Sequence, residues 1–107
     1  MREVYVYHND TFAGTLTELV RGGKCRFQYD QKYLNSSLPS ISLTLPKRSE
    51  PYDSDYLFPF FIALLPEGFN RRYVCRNAHI DDKDYFGLLT VMADVDFIGA
   101  VNIRKSK

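Results

Sequence analysis

The 107-residue chain carries 14 basic and 13 acidic residues, so its formal charge is +1, and 45% of its residues are hydrophobic. A nearly balanced charge excludes a strong general attraction to phosphate backbones or anionic membranes. The apolar content, on a chain of this length, predicts a single domain spanning residues 1–107 and excludes disorder for most of it. We therefore expect no direct contact with nucleic acid or a membrane.

The amino terminus and the cysteines are typical of a cytoplasmic protein. Val4–Tyr7 is the first apolar stretch, and turn residues follow it at once, so no secretory signal is predicted. Cys25 and Cys75 lie far apart and in no metal-ligand spacing, and one possible disulfide is weak evidence for an oxidising compartment. We predict two reduced, mostly buried thiols.

Alternation of apolar and polar residues predicts four strands in the first half of the chain. Gly14, early in the second strand, indicates a bulge or a close backbone approach. The fourth strand has the cleanest alternation, and Leu43 is one of its three residues predicted to point inward. Residues 30–39 are predicted to be irregular, with Tyr33 and Leu34 as anchors. The predicted strands are Val4–Tyr7, Phe12–Val20, Cys25–Tyr29 and Ser40–Leu45.

The most apolar stretch of the chain predicts a short helix that forms the centre of the core. Pro59 fits the first turn of that helix, where its missing amide hydrogen would be unpaired in any case. Pro66 and Gly68 are expected to end the helix in a sharp corner. The residues at the i, i+3, i+4, i+7 and i+8 spacing of one face are Leu57, Phe60, Phe61, Leu64 and Leu65.

Two further helices and a last strand are predicted after this corner. Glu67 to Asn77 forms the second helix, with an acidic start and a basic end that suit the helix dipole. Its predicted inner face is Phe69, Tyr73 and Val74. The segment 81–84 caps a third helix whose apolar stripe is Tyr85, Phe86, Leu88, Leu89 and Met92. The last strand is Phe97–Ile103, followed by a charged, frayed tail at 104–107.

This order of elements predicts an α+β fold, because strands come first and helices later without regular alternation. We expect a mostly antiparallel five-stranded sheet, built from the four N-terminal strands and the C-terminal strand, covered on one face by about three helices.

No group of residues has the spacing that catalysis or metal binding requires. His8 and His79 have no partner in a recognised spacing and are expected at the surface or in caps, and Asp81, Asp82 and Asp84 fit a helix cap better than a metal site. We predict no catalytic residue, no metal and no cofactor, and hence a binding protein and not an enzyme. The three arginines of the second helix form either a solvated face or a surface for an acidic partner; they are Arg71, Arg72 and Arg76.

Four segments, taken in order, resemble the amino-terminal subdomain of HipA-type serine/threonine kinases. They are Val4–Tyr7 with its turn and Gly14, the Pro39–Pro46 strand, the Phe60–Gly68 helix and corner, and Asp84–Leu89 leading to Ile98–Val101. The sequence departs from that family in having Phe69 where the corner commonly ends in Trp, and in lacking the usual glycine at 93–96. The kinase's catalytic segments follow this subdomain, so the resemblance does not extend to the kinase activity.

A free-standing copy of this subdomain resembles the HipS-like small component of HipBST-type toxin-antitoxin systems. The resemblance implies a non-catalytic antitoxin that docks at or near the active-site cleft of a HipA/HipT-like serine/threonine kinase, with a helix-turn-helix, HipB-like repressor as a candidate third member. The expected partner-binding residues are Pro66, Glu67, Gly68, Phe69, Arg71, Arg72 and Arg76. The alternatives are an excised or degenerate N-terminal regulatory or structural subdomain of a full-length HipA-type kinase and, from another class, an independent nucleic-acid or repressor accessory protein.

Overall fold

A computed structural model describes residues 2–65, 68–81, 83–93 and 100–106, with the backbone alone at 68–71. Within these described residues, five strands form one antiparallel sheet in the order β4-β3-β2-β1-β5, and four helices accompany it, which confirms the predicted α+β class. In chain order the elements are β1 Arg2–His8, β2 Thr11–Glu18, β3 Cys25–Tyr29, α1 Gln31–Leu34, β4 Tyr52–Ser54, α2 Pro59–Ile62, α3 Gly68–Ala78, α4 Tyr85–Met92 and β5 Val101–Arg104.

One face of the sheet contributes its side chains to the hydrophobic core. Val4 of β1 is opposite Leu16 of β2, which is opposite Phe27 of β3, and each of the three is at most 1% exposed. Because side chains alternate across a strand, the residues directly before and after each of these three face away from the core, and they are largely polar. The core is completed by residues from the helical half of the chain, namely Leu57, Phe61, Leu65, Cys75, Phe86, Leu88 and Leu89.

Gly14 was predicted to mark a β-bulge or a close backbone approach, and the structure shows both. Val6 is opposite Gly14 while Tyr7 is opposite Phe12, so one extra residue on β2 makes a β-bulge. A Cβ atom on Gly14 would lie 2.9 Å from the ring of Phe27, so only glycine lets that ring pack against the strand.

The prediction that Ser40–Leu45 is a strand was wrong, and the fourth strand is instead Tyr52–Ser54, paired with β3. The segment is a loop with a tight turn, in which the Leu45 amide donates to the Ser42 carbonyl over 3.1 Å. Ile41 and Leu45 are buried as expected, but Leu43 is fully exposed. The alternating burial of Ile41, Leu43 and Leu45 therefore comes from a turn between two buried residues and not from a strand.

The other bounds differ from prediction at element ends. Residues 30–39 include the short helix α1, for which the Asp30 carboxylate caps the Lys32 amide, and the expected anchor Tyr33 is 1% exposed. Helix α2 is four residues long, and hydrogen-bonded turns continue it to Leu65. In the last strand, residues 97–99 lie outside the described residues. Arg104 belongs to β5 and its guanidinium lies 4.0 Å from the Tyr7 ring centre, so the tail is not frayed at that residue.

Candidate functional site

Helix α3 presents a polar and aromatic face to solvent. Tyr73 is 62% exposed, whereas Cys75 is 7% exposed, so the prediction that Tyr73 faces inward was wrong. Each helical residue advances by about 100° around the axis, so Tyr73 lies about 200° from Cys75, which sets the buried side. Arg72 and Arg76 are also exposed and lie one turn apart.

The periodicity of α3 also decides which of the predicted site residues share a face. Positions 69, 72, 73 and 76 fall within about 100° of one another around the axis, and we call this the α3 outer face. Position 71 lies about 200° from position 69, so Arg71 is not part of that face. Gly68 begins the helix, Pro66 and Glu67 lie outside the described residues, and the side chains of Phe69 and Arg71 do so as well.

The carboxyl end of α3 is fixed by its backbone. His79 has a positive φ of 57°, and the Ile80 amide donates to the Cys75 carbonyl over 2.9 Å, which closes the last turn. The expectation that His79 lies at the surface or in a cap is confirmed, since the residue is exposed and occupies the helix terminus.

A cluster of three charged residues fastens α4 to the start of the sheet; we call Arg2, Glu18 and Asp84 the ionic cluster. The Arg2 guanidinium donates to both Glu18 carboxylate oxygens, over 2.6 and 2.9 Å. It also donates to both Asp84 oxygens, over 3.1 and 2.8 Å. Glu18 is 3% exposed and accepts a further bond from the Gly22 amide, so its buried charge is paired and hydrogen-bonded.

Asp84 has the role in α4 that the sequence predicts, because its side chain accepts from the Gly87 amide in the first turn. The hydrogen bonds from Arg2 lower the pKa of Asp84 below its usual value, and the same bonds raise the pKa of Arg2. A Cβ on Gly87 would lie 2.8 Å from the Asp84 carboxyl carbon, so Gly87 makes room for the cluster. Sequence reasoning missed Arg2 and Glu18. The available signal was the alternation, since Arg2 is two residues before Val4 and Glu18 two residues after Leu16, which places both on the core side of their strands.

A cavity of about 230 Å³ lies beside the ionic cluster, between the β2–β3 turn, α2 and the start of α4. Cys25 lines it, and burial, followed by the charge of Glu18, raises the pKa of this thiol to about 11. A thiol with that pKa is a poor nucleophile near neutral pH. Both cysteines are buried, as predicted.

Across residues 2–65, 68–81, 83–93 and 100–106, no three His, Cys, Asp or Glu side chains are arranged to hold a metal ion. In the same part of the chain, none of the helices has the length and apolar character needed to cross a bilayer.

Comparison with known families identifies the chain's relationship. The sequence model of the HipA N-terminal domain matches residues 4–104. A solved structure described as the N-terminal domain of HipA toxin superimposes with a TM-score of 0.73 at 28% identity, covering 100% of this chain and 94% of that one.

Two relatives differ in length. A Haemophilus influenzae protein, described as uncharacterized, is 34% identical over 105 residues, which are 98% of this chain and 92% of that protein. A Sinorhizobium fredii protein, named as the putative kinase Y4mE, is 30% identical over 105 residues. The match covers 96% of this chain but 24% of that protein, so this chain spans about a quarter of it.

Proposed function

Because the chain belongs to the family of HipA N-terminal domains, we propose that it acts as an antitoxin that binds a HipA/HipT-like serine/threonine kinase and inhibits it. This domain is a non-catalytic part of HipA-type kinases, and membership of the family implies association with a kinase of that type. The Haemophilus relative, covered over 92% of its length, supports a role as a separate small protein. Such a protein acts in the cytoplasm, where the kinase is made.

The observation that carries the proposal is the α3 outer face. Tyr73 is an exposed aromatic residue, and it lies on the same helical face as Arg72 and Arg76. In the part of the chain that the structure describes, neither arginine forms a salt bridge. Aromatic and arginine residues are the most frequent interface hot spots, so this face suits a protein partner that carries carboxylates.

The proposed mechanism is occlusion of the kinase. Phe69 is the aromatic anchor at or near the active-site cleft, and Pro66, Glu67 and Gly68, which precede it in the sequence, contact the kinase beside it. Arg72 and Arg76 bind carboxylates at the rim of the cleft, and Tyr73 packs beside them. Positions 69, 72 and 76 of the helix share one face, which supports the proposal that one surface makes these contacts.

The test is co-expression with the kinase encoded beside this gene, followed by affinity purification and a phosphorylation assay on the mixture. We expect a stable complex with suppressed activity, and at least about tenfold weaker binding for Phe69→Ala and for Arg72→Ala/Arg76→Ala. Lys32→Ala/Lys105→Ala is the matched control, since it removes two exposed positive charges elsewhere. Unchanged binding by both test variants would exclude this surface, and association without inhibition would indicate a structural subunit.

The second candidate function is that of a regulatory or structural subdomain separated from a longer kinase. It is favoured by the Sinorhizobium relative, of which this chain spans about a quarter. A continuous reading frame into kinase sequence would support it, whereas a separate, shortened kinase gene would support the antitoxin. Purification of the native complex would also show whether a HipB-like, helix-turn-helix repressor is a member.

A further inference from the structure

The loop of residues 36–47, which we call the anchored loop, has no regular secondary structure beyond one isolated bridge, yet the core holds it in place. The buried Tyr29 hydroxyl accepts from the Ile41 amide over 3.1 Å and donates to the Leu45 carbonyl. Lys47 donates from its ammonium to the Ser36 and Leu38 carbonyls, each over 2.8 Å. The backbone on both sides of the turn is therefore fixed by side chains.

The tip of the loop is closed as tightly as its base. The Thr44 amide donates to the Ser42 hydroxyl over 3.2 Å, and the hydroxyls of these two residues are 2.9 Å apart. Leu43, between them, is 100% exposed, while Ile41 and Leu45 on either side are 6% and 3% exposed. Single exposed leucines are common. The backbone on both sides of Leu43 is already held in place, so its burial by a partner would cost little backbone conformational entropy.

The α3 outer face alone is smaller than the surface that a typical specific complex buries. Specific interfaces bury about 800 Å² on each partner, with some 20 residues or more. One face of the 11-residue helix α3 offers only a few residues. Ile41 and Leu45 belong to the same buried cluster as Phe61 and Cys75, so the anchored loop and α3 are attached to one core. The protein is 41 Å along its longest axis, so one kinase can contact both.

We propose that Leu43 is a second anchor on the same kinase, where it fills an apolar pocket outside the active-site cleft. This inference rests on the proposed function and adds a contact to it. The Sinorhizobium putative kinase is consistent with it, because three quarters of that chain lies outside the matched domain and could cover the loop.

Titration calorimetry of the purified kinase with this chain tests the proposal. We expect Leu43→Ala to weaken binding about tenfold or more and Leu43→Asp to weaken it further. Both should leave the melting temperature unchanged, since the side chain contributes nothing to the core. Val20→Ala is the control, because Val20 is an exposed apolar residue of the β2–β3 turn, 56% accessible, and should bind within about twofold of the wild type.

A second variant tests the role of loop rigidity. Tyr29→Phe removes the hydroxyl that fixes the turn, so it should weaken kinase binding when Leu43 is present. In the Leu43→Ala background it should cause no further loss of affinity. Equal losses in both backgrounds would overturn the argument from preorganisation. Wild-type affinity in both Leu43 variants, with weakened binding by Arg72→Ala/Arg76→Ala, would overturn this inference alone. Absence of binding by the wild type would overturn the proposed function together with it.

Discussion

Neighbouring elements are attached to the two ends of the sheet by different kinds of interaction. At one end, the ionic cluster joins β1 and β2 to α4 through charges. At the other end, the hydroxyl of Tyr29 holds the anchored loop by hydrogen bonds to neutral backbone groups. A buried charge that loses its partner costs more than a neutral group that does so. The charged end should therefore be the more sensitive to substitution, and the carboxylate of Asp84 should make it sensitive to acid.

The largest effect is expected at Arg2. Arg2→Met leaves the Glu18 carboxylate buried without its guanidinium, and should lower the free energy of unfolding by on the order of 3 kcal/mol. Urea denaturation measures this loss. Arg26→Met is the control, because its salt bridge to Asp53 is exposed, with side chains 44% and 57% accessible, and should change stability far less. Equal losses in the two variants would contradict the importance of burial.

Tyr29→Phe should have the next largest effect. It leaves the Ile41 amide and the Leu45 carbonyl without their shared partner, which should cost about 2 kcal/mol of unfolding free energy. Tyr5→Phe removes a hydroxyl that donates to Glu3 at the surface, and should cost less. If the two variants were equally stable by urea denaturation, the hydroxyl of Tyr29 would not be what fixes the loop.

Gly87→Ala separates helix propensity from the geometry of the ionic cluster. Propensity alone predicts a gain of up to about 1 kcal/mol for this change inside a helix. The new Cβ would lie 2.8 Å from the Asp84 carboxyl carbon and 3.1 Å from the Arg2 guanidinium, so we expect a loss of about 1 kcal/mol. In an Asp84→Ala background only the guanidinium, the end of a flexible side chain, remains near the new Cβ, and the same change should stabilise. If Gly87→Ala stabilised the protein in both backgrounds, as measured by thermal unfolding, the side chains of the ionic cluster would have moved aside for the new Cβ.

The smallest expected effect is the acid sensitivity that Asp84 contributes. Its pKa in the folded state lies below the ordinary value of 3.8, because Arg2 donates hydrogen bonds to the ionised form. The unfolded state therefore binds the proton first, so this stabilisation is present above pH 3.8 and is lost as the pH falls through the folded-state pKa. Unfolding free energies measured from about pH 5 down to pH 2 should fall less steeply in Asp84→Asn. An unchanged slope would contradict this role.

Local patterns predicted much of the fold and part of the candidate site. The strands β1, β2 and β3 lie within three residues of their predicted ends at every boundary, because their alternation and intervening turns are encoded in neighbouring residues. The cap at Asp84 and the first-turn proline of α2 were predicted for the same reason. Exposed Arg72 and Arg76 also agree with the sequence, whereas the orientation of Tyr73 does not.

The sequence by itself determined the α+β order of elements, the apolar residues of the first three strands and the resemblance to HipA N-terminal domains. Only the tertiary structure decided that residues 40–45 form a loop, because their alternate burial depends on the hydroxyl of Tyr29. It also decided which side of α3 faces solvent, since the helix is oriented by what it packs against. The ionic cluster joins residues 82 positions apart, and no local pattern encodes a contact between side chains that only the folded chain brings together.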